Sequence, residues 1–334
     1  MIQGRDFITL DYFDLAELTE LLRIAREFKK SGHDRPLAGK TLALLFFNAS
    51  LRTRFSFDIG WSALGGDVVS FNISRDMWNL EMEEGAEMMG EPVEHIKDVA
   101  RVLSRYVDAV AVRCYSTGRD WSSERRDMAV IQLQKYADIP ILNMESVLYH
   151  PCQALADVMT VDERFGETRG RNITLSWVYS PRPTSLAVAQ SLALAAAQFG
   201  ANLTIVAPPE YGLDPEILSR VKRLDAASGG SLRVVRDRNE ACRGADVVYA
   251  NSWSSLGAFG DPRRESDVRE RYRDWRVDAA TMAATAGGVF MHAMPIRRNV
   301  EVTDDVVDGP SSLVYDQAEN RLHLQKALFS SIVG

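Results

Sequence analysis

Apolar runs of strand length alternate with amphipathic stretches along the chain, which predicts an α/β fold with two doubly wound parallel sheets. Three observations carry this prediction. The chain has 334 residues, enough for two domains, and 46% of them are hydrophobic. The apolar runs 41–47 and 67–73 flank an amphipathic stretch that stops at Gly65-Gly66, a βαβ unit whose crossover is expected to be right-handed. After a long helical stretch at 151–165 the same alternation starts again.

In chain order, 12–30 reads as one amphipathic helix with Leu15, Leu18, Leu21 and Leu22 on a face. Strand 41–47, a helix from 52 and strand 67–73 follow. A helix at 94–106 leads to strands 108–115 and 139–144, and helix 151–165 joins the halves. The second series has strand 172–179, an Ala-rich helix 186–199 ended by Gly200, strand 202–207 and helix 214–226. Strands 232–235, 246–250 and 288–292 continue it, and an amphipathic helix at about 316–332 closes the chain. The domains expected are 1–150, completed by 316–334, and 151–315.

Bulk properties narrow the function. A net charge of -7 argues against a general nucleic-acid binder and makes local arginine clusters more telling. No apolar run is long enough to cross a bilayer, and Arg5 and Asp6 interrupt any apolar signal core, so the expected compartment is the cytoplasm. Cys114, Cys152 and Cys242 have no metal or redox spacing, and the five histidines form no zinc pattern. No metal or cofactor is expected.

The most informative stretch is Phe46-Phe47-Asn48-Ala49-Ser50-Leu51-Arg52-Thr53-Arg54-Phe55-Ser56-Phe57. It places two hydroxyls and two guanidiniums at a strand-to-helix turn, where the first free N–H groups of the helix also point. Helix dipole, N–H donors, Ser50, Thr53 and the fork of Arg52 make a phosphate site from parts. The Gly-rich spacing of a nucleotide loop is missing, so a small phosphorylated substrate is favoured over a nucleotide. The alternative is that Arg52 and Arg54 decorate a helix start, but surface arginines seldom come with flanking hydroxyls at a strand end. Arg113, Glu145, His150, Gln153 and His292 also follow strands, and Arg321 lies on the last helix. Each alone is weak. As a set they fit the rule that ligands bind outside the carboxyl ends of parallel strands.

The Ser50–Thr53 block, His150-Pro151-Cys152-Gln153 and His292-Ala293-Met294-Pro295 stand in one order across the chain. Trp78, Asn143-Met144-Glu145, Met294-Pro295-Ile296-Arg297-Arg298-Asn299-Val300 and Glu319-Asn320-Arg321-Leu322-His323 support them. In these motifs the chain resembles the aspartate and ornithine transcarbamylase family, nearest the branch that uses acylated ornithines. The resemblance implies that carbamoyl phosphate and a primary amine give a ureido product and phosphate, with domain 1–150 binding carbamoyl phosphate and 151–315 the amine. Ser50, Leu51 (where most members carry Thr), Arg52 and Thr53 would cradle the phosphate. Thr53, Arg113 and His150 would hold the carbamoyl oxygen. Gln153, Arg321 and the carbonyl of Met294 would orient the carbamoyl amide. Trp78 would enter a neighbouring subunit's site, implying a homotrimer. Arg52, Thr53, Arg113, His150 and Gln153 form the catalytic set implied. Fixed donors suit a transition state whose charge grows on the carbamoyl oxygen, each being worth ~3–4 kcal/mol of barrier.

The acceptor half departs from the family. Ser180 stands where acylornithine enzymes carry His, Ser185 where the acetyl branch carries Asn, and Asn251 where a Lys helps hold the α-carboxylate. Arg182, Arg297 or Arg298 is expected to take over, since a dry carboxylate needs a charged partner or several donors. Val93 stands where acetyl enzymes place a Glu from the next subunit and the succinyl branch an apolar residue. Glu301 replaces a Lys that can be carboxylated, and Ala293 replaces a Cys beside His292. Glu145 is expected either to bind the incoming ammonium or to cap the next helix. An N-acylated ornithine leads as acceptor; a diamine or unusual amine in a specialised pathway, and a non-catalytic carbamoyl-phosphate-binding paralogue, are the alternatives. The Pro181-Arg182-Pro183 loop resembles the one around which that branch threads a knot, expected over 172–253.

Overall fold

A computed structural model describes residues 2–30, 35–285 and 287–334. The chain divides into two compact units, the first comprising Met1–Thr117, Ser122–Cys152 and Arg321–Gly334, the second Gly118–Trp121 and Gln153–Asn320.

The first unit holds a four-stranded sheet in the order Asp67–Asn72, Thr41–Phe46, Ala109–Cys114, Ile141–Ser146. All pairings are parallel. Thr41–Phe46 is central and almost wholly buried, which is why it reads as an unbroken apolar run. Asp108 locks its start, pairing Lys40 at 3.0 Å and accepting the Thr41 N–H at 2.8 Å. Register sets Phe46 beside Arg113 and Arg113 beside Glu145, so both charges sit at the carboxyl ends. Helix Arg52–Ala63 packs Phe57 and Trp61 edge-on against Phe329 of the last helix, ring centroids 5.2 Å apart in each case. Gly66 cannot carry a side chain: an added Cβ would lie 2.2 Å from Trp61 Nε1.

Several boundaries differ from the sequence expectation. The first helix is Leu15–Lys30, not 12–30, because Asp14 and Glu17 cap it reciprocally (2.8 and 3.0 Å) and Leu10–Tyr12 forms a separate 3-10 turn. The helix expected at 94–106 begins at Ile96. His95 is its N-cap and Glu94–His95 pairs with Leu80–Glu81 instead. The strand placed at 139–144 runs Ile141–Ser146, and the last helix starts earlier, at Val314. Strand Asp67–Asn72 is apolar yet exposed, because it is the sheet edge. Helix Met128–Tyr136 was not anticipated.

The second unit holds a five-stranded parallel sheet in the order Val289–Met291, Val247–Asn251, Asn172–Trp177, Asn202–Val206, Ser231–Val235. Helix Ala187–Gln198 is buried on nearly every face, and its small side chains permit that. Three adjacent strands, ending at Met291, Asn251 and Trp177, deliver His292, Asn251 and Ser180 to the carboxyl edge of this sheet.

Candidate active site

In the first unit the polar cluster centres on Thr53, buried at the start of helix Arg52–Ala63. Ser50 Oγ accepts the Thr53 N–H at 3.2 Å and shapes the turn. Asn48 accepts the Tyr115 N–H at 2.9 Å, tying the loop to the neighbouring strand. Thr53 Oγ1 accepts from Arg321 Nη2 at 2.8 Å and, more weakly, from Arg113 Nη1 at 3.5 Å. Its own proton is therefore directed to a third group.

Arg113 pairs with Glu145, whose carboxylate also lies 3.6 Å from His150 Nε2. Glu145 thus braces Arg113. Removing it would leave a buried, uncompensated guanidinium, a loss of about 3–5 kcal/mol. Burial, followed by the charges of Arg321 and Arg113, pushes the His150 imidazole well below its ordinary range, so it stays neutral. Burial brings Arg321 down to about 10 and lowers Arg52, which also feels Arg113. Three guanidiniums against one carboxylate leave two positive charges uncompensated, the complement of a phosphate dianion. Arg113 Nε and Arg321 Nε are buried donors without a hydrogen-bond partner among the described residues. Such donors point to a ligand. Arg54 instead covers the Phe46 ring, 4.8 Å from its centroid. Before His150, Asp127 holds the Ser146 hydroxyl at 2.5 Å and the Val147 N–H at 3.1 Å, and burial raises its carboxyl to about 6.

Leu51, Trp78 and Val93 are exposed, Trp78 at 70% and Val93 at 62%. Among the described residues, neither of those two hydrogen-bonds to the Thr53 cluster. Their segment is held by Arg126 on Glu83 (2.8 Å) and Lys135 on Glu84 (2.5 Å).

In the second unit Gln153 Nε2 donates to Asp157 at 2.8 Å. His292 Nδ1 faces the Ala293 carbonyl at 2.7 Å, and Glu301 lies 3.3 Å from its Nε2. Glu301 also accepts the Arg297 N–H at 2.8 Å. Burial would raise its carboxyl, but His292 and this N–H hold it below the usual range. Ser180 is fully buried, and its hydroxyl faces the Glu301 carboxylate, which it helps to hold low. Asn251 donates to the Ser252 carbonyl at 3.1 Å, and Ser185 accepts the Ala187 N–H at 3.1 Å as a helix-start bond. Met294 is half-buried.

Of the three arginines expected to replace the lost cations, Arg298 is already committed to Asp304 (2.8 Å) and Asp308 (2.6 Å). Arg182 and Arg297 are exposed and make no ion pair among the described residues. Arg269 escaped the sequence reading, because its stretch 262–274 is dense in charge and reads as a solvated face. It is 1% exposed, paired with Glu265 at 2.6 Å and stacked near Trp177 and Tyr211. Its guanidinium holds the Ser180 carbonyl (3.3 Å), the Ser252 hydroxyl (2.9 Å) and the Trp253 carbonyl (3.0 Å), fixing two strand-end loops at once. Among the described residues no group of His, Cys, Asp and Glu is arranged to hold a metal.

Two family models match the chain: the carbamoyl-P binding domain of aspartate/ornithine carbamoyltransferase over residues 5–163, and its Asp/Orn binding domain over 172–332. The chain is 43% identical over 333 residues to N-acetylornithine carbamoyltransferase of Xanthomonas campestris pv. campestris, covering 99% of this chain and 98% of that one. Its fold matches a crystal structure of acetylornithine transcarbamylase complexed with acetylcitrulline, with a TM-score of 0.97, 43% identity and 99% of both chains covered. It also matches an N-acetyl-L-ornithine transcarbamylase variant with valine in place of one glutamate, complexed with carbamyl phosphate and N-succinyl-L-norvaline. There the TM-score is 0.96 at 43% identity, over 98% of this chain and 100% of that one.

Proposed function

The chain belongs to the aspartate/ornithine carbamoyltransferase family, and we propose that it carbamoylates the free amine of an N-acylated ornithine whose acyl group is of succinyl size. The observation that carries the transfer itself is the buried Thr53–Arg113–Arg321 cluster, which together with Arg52 holds two positive charges beyond that of Glu145. Ser50, Arg52 and the N–H groups at the helix start hold the phosphate. The amine lone pair attacks the carbamoyl carbon, and charge grows on its oxygen, where Thr53, Arg113 and neutral His150 donate. The carbon–oxygen bond to phosphate breaks, and the departing phosphate takes the amine's proton, so no separate base is required. Gln153, Arg321 and the Met294 carbonyl orient the carbamoyl amide.

For the acceptor, Val93 supplies an apolar side chain where acetyl enzymes have a carboxylate, which removes repulsion against an anionic acyl tail. A relative with valine replacing a glutamate and bound to N-succinyl-L-norvaline supports this. Arg182 and Arg297 are the cations left to meet the acceptor's carboxylates. We place the enzyme in the cytoplasm as a homotrimer, with Trp78 and Val93 completing a neighbour's site; the chain knot over 172–253 belongs to the same proposal. No helix among the described residues is long and apolar enough to cross a membrane.

The test is a mass-spectrometric search for ureido product with carbamoyl phosphate and N-succinylornithine, N-acetylornithine, ornithine, lysine or putrescine. N-succinylornithine should give kcat/KM about tenfold or more above N-acetylornithine, and Val93→Glu should reverse that order. Product with putrescine alone would overturn the acylornithine reading and explain Ser180 and Asn251 as marks of an acceptor without a carboxylate.

A further inference from the structure

Asp157 lies one helical turn after Gln153 on helix Pro151–Phe165 and is 1% exposed. Its Oδ1 accepts from Gln153 Nε2 at 2.8 Å and from Gln317 Nε2 at 2.6 Å, and its Oδ2 accepts from the Tyr249 hydroxyl at 2.9 Å. Gln317 Oε1 in turn accepts the His292 N–H at 3.1 Å. Both Asp157 oxygens accept here, so each amide that meets them turns its NH2 inward. That single constraint fixes both amides. Gln153 presents its NH2 to Asp157 and its carbonyl oxygen to the other side. Gln317 presents its NH2 to Asp157 and its oxygen to the strand end that leads to Met294. Tyr249 belongs to strand Val247–Asn251 and His292 follows strand Val289–Met291, so one buried carboxylate links a helix to two adjacent strand ends.

We propose that Asp157 is a positioning residue that sets the polarity of the carbamoyl pocket. By holding the Gln153 amide one way round, it makes Gln153 Oε1 an acceptor for the NH2 of the carbamoyl group. Through Gln317 it steadies the backbone that carries the Met294 carbonyl, the second acceptor. The pocket thereby selects an acyl phosphate that bears an NH2 over one that bears a methyl group, since a site built to bond a donor rejects the analogue that lacks it. The inference rests on the reading of Gln153 as the residue that orients the carbamoyl amide.

The test compares two probes by calorimetry, phosphonoacetamide, which carries the NH2, and inorganic phosphate, which does not. In Asp157→Asn the new amide can offer its own NH2 to Gln153 and let that side chain turn over. Phosphonoacetamide should then bind about tenfold more weakly, while phosphate binding changes less than about twofold. Gln153→Ala should show the same split, and the double variant little further loss. Tyr249→Phe removes one donor to Asp157 without changing shape. It should weaken phosphonoacetamide about two- to fivefold with phosphate unchanged, and it serves if Asp157→Asn does not fold. Equal weakening of both probes in these variants would overturn the positioning role. So would full phosphonoacetamide affinity in Asp157→Asn or Tyr249→Phe while Gln153→Ala loses it; the reading of Gln153 would then stand. Unchanged phosphonoacetamide binding in Gln153→Ala would overturn that reading and the proposal with it.

Discussion

Neutral His150 beside two guanidiniums has a consequence for stability against pH. Its folded pKa lies well below the ordinary 6.5, for burial first and then for the charges of Arg321 and Arg113. A depressed folded pKa means that the stability contributed by the neutral ring is present above about pH 6.5 and is lost as the pH falls, because the unfolded chain takes the proton first. The loss is roughly 1.4 kcal/mol per pH unit below that point. Urea midpoints measured from pH 7 to pH 5 should fall less steeply for His150→Gln than for the parent; equal slopes would show that His150 does not titrate this way. Thr53 was legible in the sequence through the hydroxyls and guanidiniums gathered at one strand-to-helix turn, and His150 and Arg113 only as members of a set at strand ends. Asp157 was not. Inside helix Pro151–Phe165 it reads as an ordinary polar position, and only packing reveals that both its oxygens are enclosed by donors. The signal available was its place four residues after Gln153 in a stretch, 151–160, whose other residues are almost all apolar. Arg269 was hidden for the opposite reason, by charged neighbours that do face water.

At the level of elements, a close helix–helix approach sets the distance between Thr53 and Arg321. Helix Arg52–Ala63 carries Thr53 in its first turn, and Val314–Ile332 carries Arg321. The two meet at Gly60, where an added Cβ would lie 3.3 Å from Phe329 and 3.5 Å from Leu322. Gly60→Leu should push the helices apart, cost about 1–3 kcal/mol in urea unfolding, and weaken phosphate binding by lengthening the 2.8 Å bond from Arg321 to Thr53. Phosphate affinity at the parent value in a folded Gly60→Leu protein would show that helix spacing does not control the cluster. The alternation of strands and helices was readable because buried parallel strands are continuous apolar runs. Element ends were less so. The first helix starts at Leu15 through the Asp14–Glu17 capping box, while hydrophobic periodicity had carried it back to 12. Helix Met128–Tyr136 was missed although Asp127 precedes it; in the fold Asp127 adopts a left-handed φ of 52° and gives its carboxylate to Ser146 instead of capping the helix.

Across the whole molecule, exposed apolar side chains collect in the first unit. Leu51, Phe55 and Ile59 repeat every four residues along one helix face and are 66%, 56% and 50% exposed. Val69 and Phe71 lie on the edge strand of the sheet, with Trp78, Met89 and Val93 on the segment that follows. A helix face and an open sheet edge of this kind invite cover by another chain, and the homotrimer proposed above supplies it. If Trp78 completes the neighbour's site, each site draws Arg52 from one chain and Trp78 from the next around a cyclic ring. Arg52→Ala and Trp78→Ala should each be nearly inactive as pure trimers. Dissociated, mixed in equal amounts and reassembled, they should regain activity. Any hybrid ring contains one interface at which an intact Arg52 meets an intact Trp78. With random assembly about three quarters of the rings are hybrids, so activity should return to about one quarter of the parent value. If Trp78 served its own chain, no hybrid would contain an intact site and activity would stay at the level of the pure variants. A recovery near one quarter would therefore establish that each site is shared between neighbouring chains.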